Sequence, residues 1–328
     1  MLTLAIESSC DETSAAVVAD GSRVLSNVVA SQEALHAQYG GVVPELAARR
    51  HVEAIGPVLR EALTQAAADW SDLDLVAVTR GPGLPGALLV GLCTAKAVAL
   101  ARGLPLVGVN HLAGHIFAHW LCGGPPEFPA LALVVSGSHT DLALLASASE
   151  LRLLGSTADD AAGEAFDKVG RLLGLPYPGG PTVERLAAAG DPHAIEFPRA
   201  FPEPGDYRFS FSGLKTAVAV HLERHPDARP ADVAASFQRA AVEVLASKAA
   251  FAAAAFGARS LLVAGGVAAN KALARALAER SPVPVRVPPL NLCTDNAAMI
   301  AAAGWAAFTA GRRDSLDLDA DPSLPLAL

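Results

Sequence analysis

The order of strand-like and helix-like segments runs through this chain twice, and that repetition constrains the fold more than any other feature of the sequence. Three alternating apolar segments open the chain. LTLAIESS reaches a polar turn at CDET, TSAAVVAD returns, and after a turn at Gly21 the segment RVLSNVVAS forms a third strand. A polar loop, QEALHAQYGGVVPE, leads to a helix from Pro44 to about Ala68, in which Pro57 introduces a kink. A buried strand (LDLVAVT), a Gly/Pro-rich turn (RGPGLPG), a helix to about Arg102 and a strand (LPLVGVN) close the first half. The second half begins the same order: PALALVVSG, a polar turn at SHT, DLALLASAS and ELRLLGST. Helices follow near 161–173, 181–189, 213–224 and 231–256, then a buried strand (SLLVAGG), a helix from Asn270, a strand (VPVRVPP) and a last helix from Thr294.

Strands followed by crossover helices predict mixed, mostly parallel sheets covered on both faces. Two copies of β-β-β-α-β-α-β, the second with extra helices, predict the duplicated actin-like ATPase (ribonuclease-H-like) α/β fold, two lobes around a cleft. A plain pair of doubly wound domains is the competing arrangement. The expected division is a first lobe over 1–108, completed by the helix 294–310, and a second lobe over 109–293 that carries the helical insertions. The tail 311–328 is Asp- and Pro-rich, lacks helical periodicity and reads as loosely ordered.

The length of 328 residues suits two cores, and charged residues at 18% argue against disorder. The net charge of −8 gives no sign of the basic face that a dedicated nucleic-acid binder carries. A nucleic-acid substrate would need positive charge from a local patch or a partner. Twenty arginines against five lysines fit a GC-rich coding sequence. Cys10, Cys93, Cys122 and Cys293 form no C-x-x-C pair, which argues against a thiolate zinc site and suits a reducing cytosol. The first apolar run meets Glu7 at once, so it is not a signal peptide, and the apolar runs at 87–101 and 297–310 read as core helices. A cytoplasmic protein without membrane association is expected.

Several motifs carry chemistry. ESSCDETS and VVSGSHTD occupy equivalent positions in the two copies. Small polar residues at a tight turn expose amide groups that can cradle phosphate oxygens. Either motif alone reads as a surface hairpin turn; the matched pair favours a ligand site. Asp11 and Glu12 add carboxylates able to hold a metal or orient water. LLVAGGVAANKAL runs a buried strand into Gly-Gly and a helix opening near Asn270, where the backbone can approach a ligand closely. It lacks the G-x-G-x-x-G spacing of a dinucleotide site. LLGLPYPGGPTVERL supplies a comparable turn.

In NHLAGH, His111 and His115 stand four apart on one helix face and can bind a single transition metal. A capped helix with two solvated rings is the plainer reading, and His119 extends the same face. Asp295, in NLCTDNAAM just after the last strand, is the third ligand assigned. The zinc-protease motif needs a glutamate after its first histidine; Leu112 stands there instead.

ESSCDETSAAVV, HAQYGGVVPELAARRH, GPGLPGALLVG, VNHLAGH, VVSGSHTDL, GEAFDKVGRLLGLPYPGGP, FSFSGLKTA, AGGVAAN and CTDNAAMIA follow one another in this order. Together they resemble the bacterial tRNA N6-adenosine threonylcarbamoyltransferase family (TsaD, formerly called O-sialoglycoprotein endopeptidase) over nearly the whole chain. The resemblance implies an acyltransferase that moves a threonylcarbamoyl group from threonylcarbamoyl-adenylate to the adenosine 3′ of the anticodon, in tRNAs reading codons that start with A. It implies metal ligands at His111, His115 and Asp295, with one iron(II) per chain and zinc as the alternative. It implies substrate contacts at Val134, Val135, Ser136, Gly137, Ser138, Asp167, Gly180, Glu184 and Asn270. It also implies an inactive paralogous partner (TsaB) and a small P-loop ATPase (TsaE).

The chain departs from the family pattern at Ser138, where glycine is usual, at Glu184, often aspartate, and at Pro85, often aliphatic. If the 136–138 turn needs positive φ, Ser138 is strained. Asp11 or Glu12 is the candidate general base, and Lys215 in SGLKT faces either a phosphate or a structural carboxylate. A kinase of the same fold would need a carboxylate Mg²⁺ site rather than two histidines on one helix, and the complete ligand set argues against a relic scaffold. Arg49, Arg50, Arg312 and Arg313 are candidate phosphate contacts for tRNA.

Overall fold

The repetition read from sequence is present as two five-stranded sheets with one strand order. In the computed structural model, which describes residues 1–328, the chain divides into two units. The first comprises Met1–Pro126, Ala148–Leu151 and Pro288–Leu328; the second comprises Glu127–Ser147 and Arg152–Val287. The first unit opens with strands β1 (Leu2–Glu7), β2 (Glu12–Ala19) and β3 (Arg23–Ser31), then helices α1 (Glu33–Ala37) and α2 (Pro44–Ala66). It continues with β4 (Leu75–Gly81), α3 (Pro85–Arg102), β5 (Leu106–Asn110) and α4 (His111–Phe117). The second unit holds β6 (Ala130–Val135), β7 (Thr140–Ser147), β8 (Glu150–Ser156) from Arg152 onward, α5 (Ala162–Leu172), α6 (Gly179–Ala187), α7 (Ser212–Arg224), α8 (Pro230–Ala255), β9 (Ser260–Ala264), α9 (Lys271–Arg280) and β10 (Val285–Arg286). The chain then returns to the first unit with α10 (Leu290–Cys293) and α11 (Ala297–Thr309).

The sheets run β3-β2-β1-β4-β5 and β8-β7-β6-β9-β10. Within the first, Ile6 of β1 pairs antiparallel with Ala15 and parallel with Val78. In the second, Leu133 of β6 pairs antiparallel with Leu142 and parallel with Val263. Alternation along a strand sends successive side chains to opposite faces. Leu4, Ile6, Ala15 and Val17 therefore pack with Ile55 and Leu59 of α2 and Leu92 and Ala95 of α3. Ala5, Ala16 and Val18 pack on the other face with Met299, Ile300 and Ala302 of α11. That face is so close to α11 that a Cβ on Gly304 would stand 2.5 Å from the Ala77 Cβ. α3 is long and apolar enough to cross a membrane by length and composition, yet its Leu92 and Ala95 are fully buried in this core.

Several expectations are corrected. Residues 109–126, placed by sequence in the second lobe, belong to the first unit, because α4 packs on α11: a Cβ on Gly114 would stand 2.6 Å from Ile300 Cδ1. The tail 311–328 is not loose. Asp314 N donates to Leu106 O at 2.9 Å, Asp321 N donates to Arg80 O at 2.8 Å, and Leu326 is buried. Its order comes from backbone hydrogen bonds to neighbouring strands, which need no periodicity of their own. The expected strand VPVRVPP pairs only at Val285 and Arg286, since the flanking prolines lack the amide donors a ladder needs. Part of the loop after β3 folds as the short helix α1.

Candidate metal centre and ligand-binding turns

Asn110, at the end of β5, starts α4: its Oδ1 accepts from Leu112 N at 2.9 Å and from Ala113 N at 3.1 Å. The helix then carries His111 and His115 on one face, with ring centroids 4.8 Å apart. Asp295, between α10 and α11, completes the group. His115 Nε2 lies 3.1 Å and His111 Nε2 3.5 Å from Asp295 Oδ1. The ligand atoms of these residues all lie within 4.8 Å of one another, so the expected triad is brought together inside the first unit. His119 falls in the 3-10 turn Ala118–Leu121 and lies outside this group.

The donor set fits a metal ion. Two imidazole nitrogens and one carboxylate oxygen converge, the combination that suits a divalent transition metal with open positions. The side of His111 facing away from Asp295 is also built for it. Its Nδ1 lies 3.0 Å from Glu7 Oε2 and 3.2 Å from Ser9 Oγ. A carboxylate behind a histidine fixes the ring and strengthens the other nitrogen as a ligand. Burial opposes the Glu7 charge, but the His111 partner overcomes it and holds the carboxyl below its usual range. Burial likewise opposes protonation of His111, while Glu7 and then Asp295 keep its pKa up at about 9. His115 Nδ1 is buried without a partner, so that ring is oriented from its Nε2 side.

Sequence reading missed Glu7, Ser9, Thr79 and His51. Glu7, fully buried, accepts from Ser9 N and, at 2.6 Å, from Thr79 Oγ1. Its one local trace is a carboxylate at a strand end, which does not separate a buried group from a solvated one. His51 of α2 lies 2.9 Å from Cys10 O and 2.8 Å from Thr13 Oγ1. A carbonyl can only accept, so Nε2 carries the proton; burial disfavours a second proton on the ring, so Nδ1 accepts from the threonine hydroxyl. The neutral ring that burial favours pins the turn carrying Asp11. In that turn Glu12 accepts from Ser31 Oγ at 3.1 Å. Burial, then the charges of Asp295 and Asp11, push its carboxyl up to about 10, and burial pushes the Cys10 thiol up as well.

The remaining sequence-assigned residues cluster within the second unit. Val134 and Val135 end β6, and the turn after them closes through Ser136 N donating to His139 O at 2.8 Å. Ser136 Oγ accepts from Ser138 N at 3.3 Å and His139 N at 3.1 Å, which leaves the Gly137 amide as the donor this turn offers a ligand. Ser138 is not among the residues with positive φ, so the expected strain is absent. Two glycines pack beneath the turn. A Cβ on Gly265 would stand 2.4 Å from Val135 O, and one on Gly163 would stand 2.5 Å from Ser136 O. Asp167 Oδ1 accepts from Gly179 N at 2.7 Å, which draws Gly180 at the start of α6 beside it. Burial raises the Asp167 pKa against the pull of the Gly179 and Gly180 amides. Glu184 Oε1 accepts from Lys271 N at 2.7 Å, next to Asn270. Asn270 is the N-cap of α9, accepting from Leu273 N at 2.9 Å while its Nδ2 donates to Gln238 Oε1 at 3.0 Å. Lys215 and Lys168 each donate to Asp160 at 2.8 Å, so both lysines sit on a structural carboxylate.

The profile of the family described as TsaD, tRNA N6-adenosine threonylcarbamoyltransferase, matches residues 23–302. The chain is 58% identical over 333 residues to the tRNA N6-adenosine threonylcarbamoyltransferase of Symbiobacterium thermophilum, covering 100% of this chain and 97% of that protein. It is 56% identical over 332 residues to that of Moorella thermoacetica, covering 98% and 96%. Among solved structures, HypF of T. kodakarensis superposes with a TM-score of 0.68 at 15% identity, over 94% of this chain and 48% of that one. That likeness is of fold, and with the duplicated strand order it identifies the actin-like ATPase fold.

Proposed function

We propose how this chain works from the premise that it belongs to the tRNA N6-adenosine threonylcarbamoyltransferase family. It is an acyltransferase that moves the threonylcarbamoyl group from threonylcarbamoyl-adenylate to N6 of the adenosine 3′ of the anticodon, in tRNAs reading codons that start with A. AMP is released. The observation that carries the reading is the intact His111–His115–Asp295 group in a chain that matches the family along its length.

N6 attacks the carbamoyl carbon, the bond from that carbon to the adenylate phosphate oxygen breaks, and the phosphate leaves with the electron pair. AMP is already a good leaving group, so positioning supplies most of the rate. Gly137 N is assigned to a phosphate or developing oxyanion, Asp167 and Glu184 to ribose hydroxyls, and Asn270 to the adenosine moiety. N6 must lose a proton. Burial, then the charges of Asp295 and Asp11, disfavour the ionised form of Glu12, so of the two candidates Asp11 is the one assigned to accept it. His111, His115 and Asp295 would hold a divalent metal, for which we assign iron(II) with zinc as the alternative, and it would supply Lewis-acid polarisation of an acyl oxygen. The two-histidine, one-carboxylate donor set supports this choice.

We place the reaction in the cytoplasm, where tRNA is, and assign an inactive paralogue (TsaB) and a P-loop ATPase (TsaE) as partners. Val52 of α2 and Leu89 and Leu100 of α3 are exposed apolar residues able to receive a partner. The test is incubation of the protein with threonylcarbamoyl-adenylate and unmodified tRNA, with and without the partners, followed by nucleoside analysis. Threonylcarbamoyladenosine is expected with the full set; its absence there overturns the reading.

A further inference from the structure

The C-terminal segment that reads as a loose tail is tied to the helix carrying both histidines. Gly108 N donates to Asp314 Oδ2 at 2.7 Å, Asp321 N to Arg80 O at 2.8 Å, and Gly83 N to Pro322 O at 3.2 Å. The fit is tight: a Cβ on Gly81 would stand 1.8 Å from Asp321 O. Further on, Pro325 O accepts from Asn110 Nδ2 at 2.8 Å, Leu326 is buried, and Leu328 packs on the cluster that includes Phe117 and Ala118 at the end of α4.

Asn110 therefore makes two kinds of contact with one amide group. Its oxygen caps the first turn of α4 through Leu112 N and Ala113 N, and its nitrogen is held by the tail. The donor contact decides which end of the amide faces the helix. A second brace runs through the 81–84 turn. Leu84 N donates to Ser9 O at 2.8 Å, and Ser9 Oγ lies 3.2 Å from His111 Nδ1.

We infer that residues 321–328 are a positioning strap for the metal centre: by holding Asn110, Pro325 O locks the N-cap of α4 and with it the placement of His111 and His115. The inference rests on the reading of these histidines as metal ligands, but the hold of the strap on α4 can be measured without metal. The test uses full-length protein with Asn110→Ser, Leu326→Asp, or both. Serine keeps a capping oxygen and lacks the amide donor; aspartate at a buried position lifts the strap end. Hydrogen exchange at the Leu112 and Ala113 amides is read in metal-free protein, and zinc affinity by chelator competition.

Each single variant is expected to speed exchange at these amides, to leave the β1–β2 amides protected, and to weaken zinc binding about tenfold. The double variant should be no weaker than the weaker single one, because both break the same link. Unchanged exchange in Leu326→Asp, or losses that multiply to about a hundredfold, would overturn the strap. Exchange that responds in a protein unable to bind zinc would overturn the metal reading and leave the strap standing.

Discussion

Glu7 Oε2 lies 3.0 Å from His111 Nδ1, and this contact decides which nitrogen of the imidazole is left for a metal. The carboxylate comes from the end of the first strand and is fully buried. It also accepts from Ser9 N and Thr79 Oγ1, so it cannot turn away from the ring without stranding two donors.

Glu7→Gln is therefore expected to weaken metal binding about tenfold. An amide nitrogen facing Ser9 N, or facing His111 Nδ1 while that nitrogen carries its proton, leaves a buried clash of donors, worth about 1–3 kcal/mol of stability. Chelator competition with zinc or cobalt reads the first effect and chemical denaturation the second. Unchanged affinity would remove Glu7 from the metal site.

Alanine at both His111 and His115 should abolish stoichiometric metal, since Asp295 alone cannot hold it. A ligand that binds only the folded state stabilises it by about 2.7 kcal/mol at a hundredfold excess over its dissociation constant. Adding chelator should lower the melting temperature of the wild type and leave that of the double variant unchanged. Elemental analysis of the two proteins provides the direct comparison.

Asp167→Asn separates stability from binding. Burial raises the Asp167 pKa in the folded state, so the folded protein favours the protonated carboxyl. Its contribution to stability is present below the unfolded value of 3.8 and is lost as the pH rises through the folded value. Asparagine keeps an acceptor for Gly179 N and has no charge to bury. The variant should gain stability over the wild type as the pH climbs from about 4 toward neutral, while its affinity for an adenylate analogue falls. Denaturation midpoints across that range, set beside calorimetry at neutral pH, test both halves.

Asn270 needs a different substitution, because it caps α9. Asn270→Ala should cost about 1 kcal/mol through the lost cap. Asn270→Ser should restore most of that stability and none of the adenylate affinity, if the side-chain amide is what meets the ligand. Recovery of binding in the serine variant would assign Asn270 to the helix cap alone.

The sequence carried the repeated strand order plainly, because strand and helix periods are local. His111 and His115 were legible for the same reason: four residues is one helical turn. Asp295 was legible as the acidic residue after the last apolar segment, although the strand itself shrank to Val285–Arg286. Glu7 was not, because nothing local separates a buried carboxylate from one at a strand end in water. The tail was not legible either. Its contacts to Leu106, Arg80 and Asn110 are made over about 200 residues of sequence by backbone groups, which leave no periodic trace.

Binding of tRNA is expected to be weak for the isolated chain and to depend little on salt. Phosphate contacts dominate nucleic-acid affinity, and each needs an available Lys or Arg. Several of the candidate contacts in this chain are already engaged. Arg312 donates to Gly108 O and sits 3.5 Å from Asp314, Arg50 lies 2.8 Å from Glu53, and Lys168 and Lys215 share Asp160. Lys248 is spent on the carbonyls of Phe201 and Asp206. Arg49 is exposed, and Arg313 stacks over Phe308. Exposed ion pairs are weak enough to exchange, but each leaves its carboxylate beside the incoming phosphate, on a chain of net charge −8. Positive surface from a partner is then expected to supply the rest. A filter-binding salt series on the chain alone should give a logarithmic slope of only about −1 to −2, roughly one or two phosphates neutralised, and a steeper slope once the partners are added. Tight, steeply salt-dependent binding by the chain alone would show that its own arginines suffice.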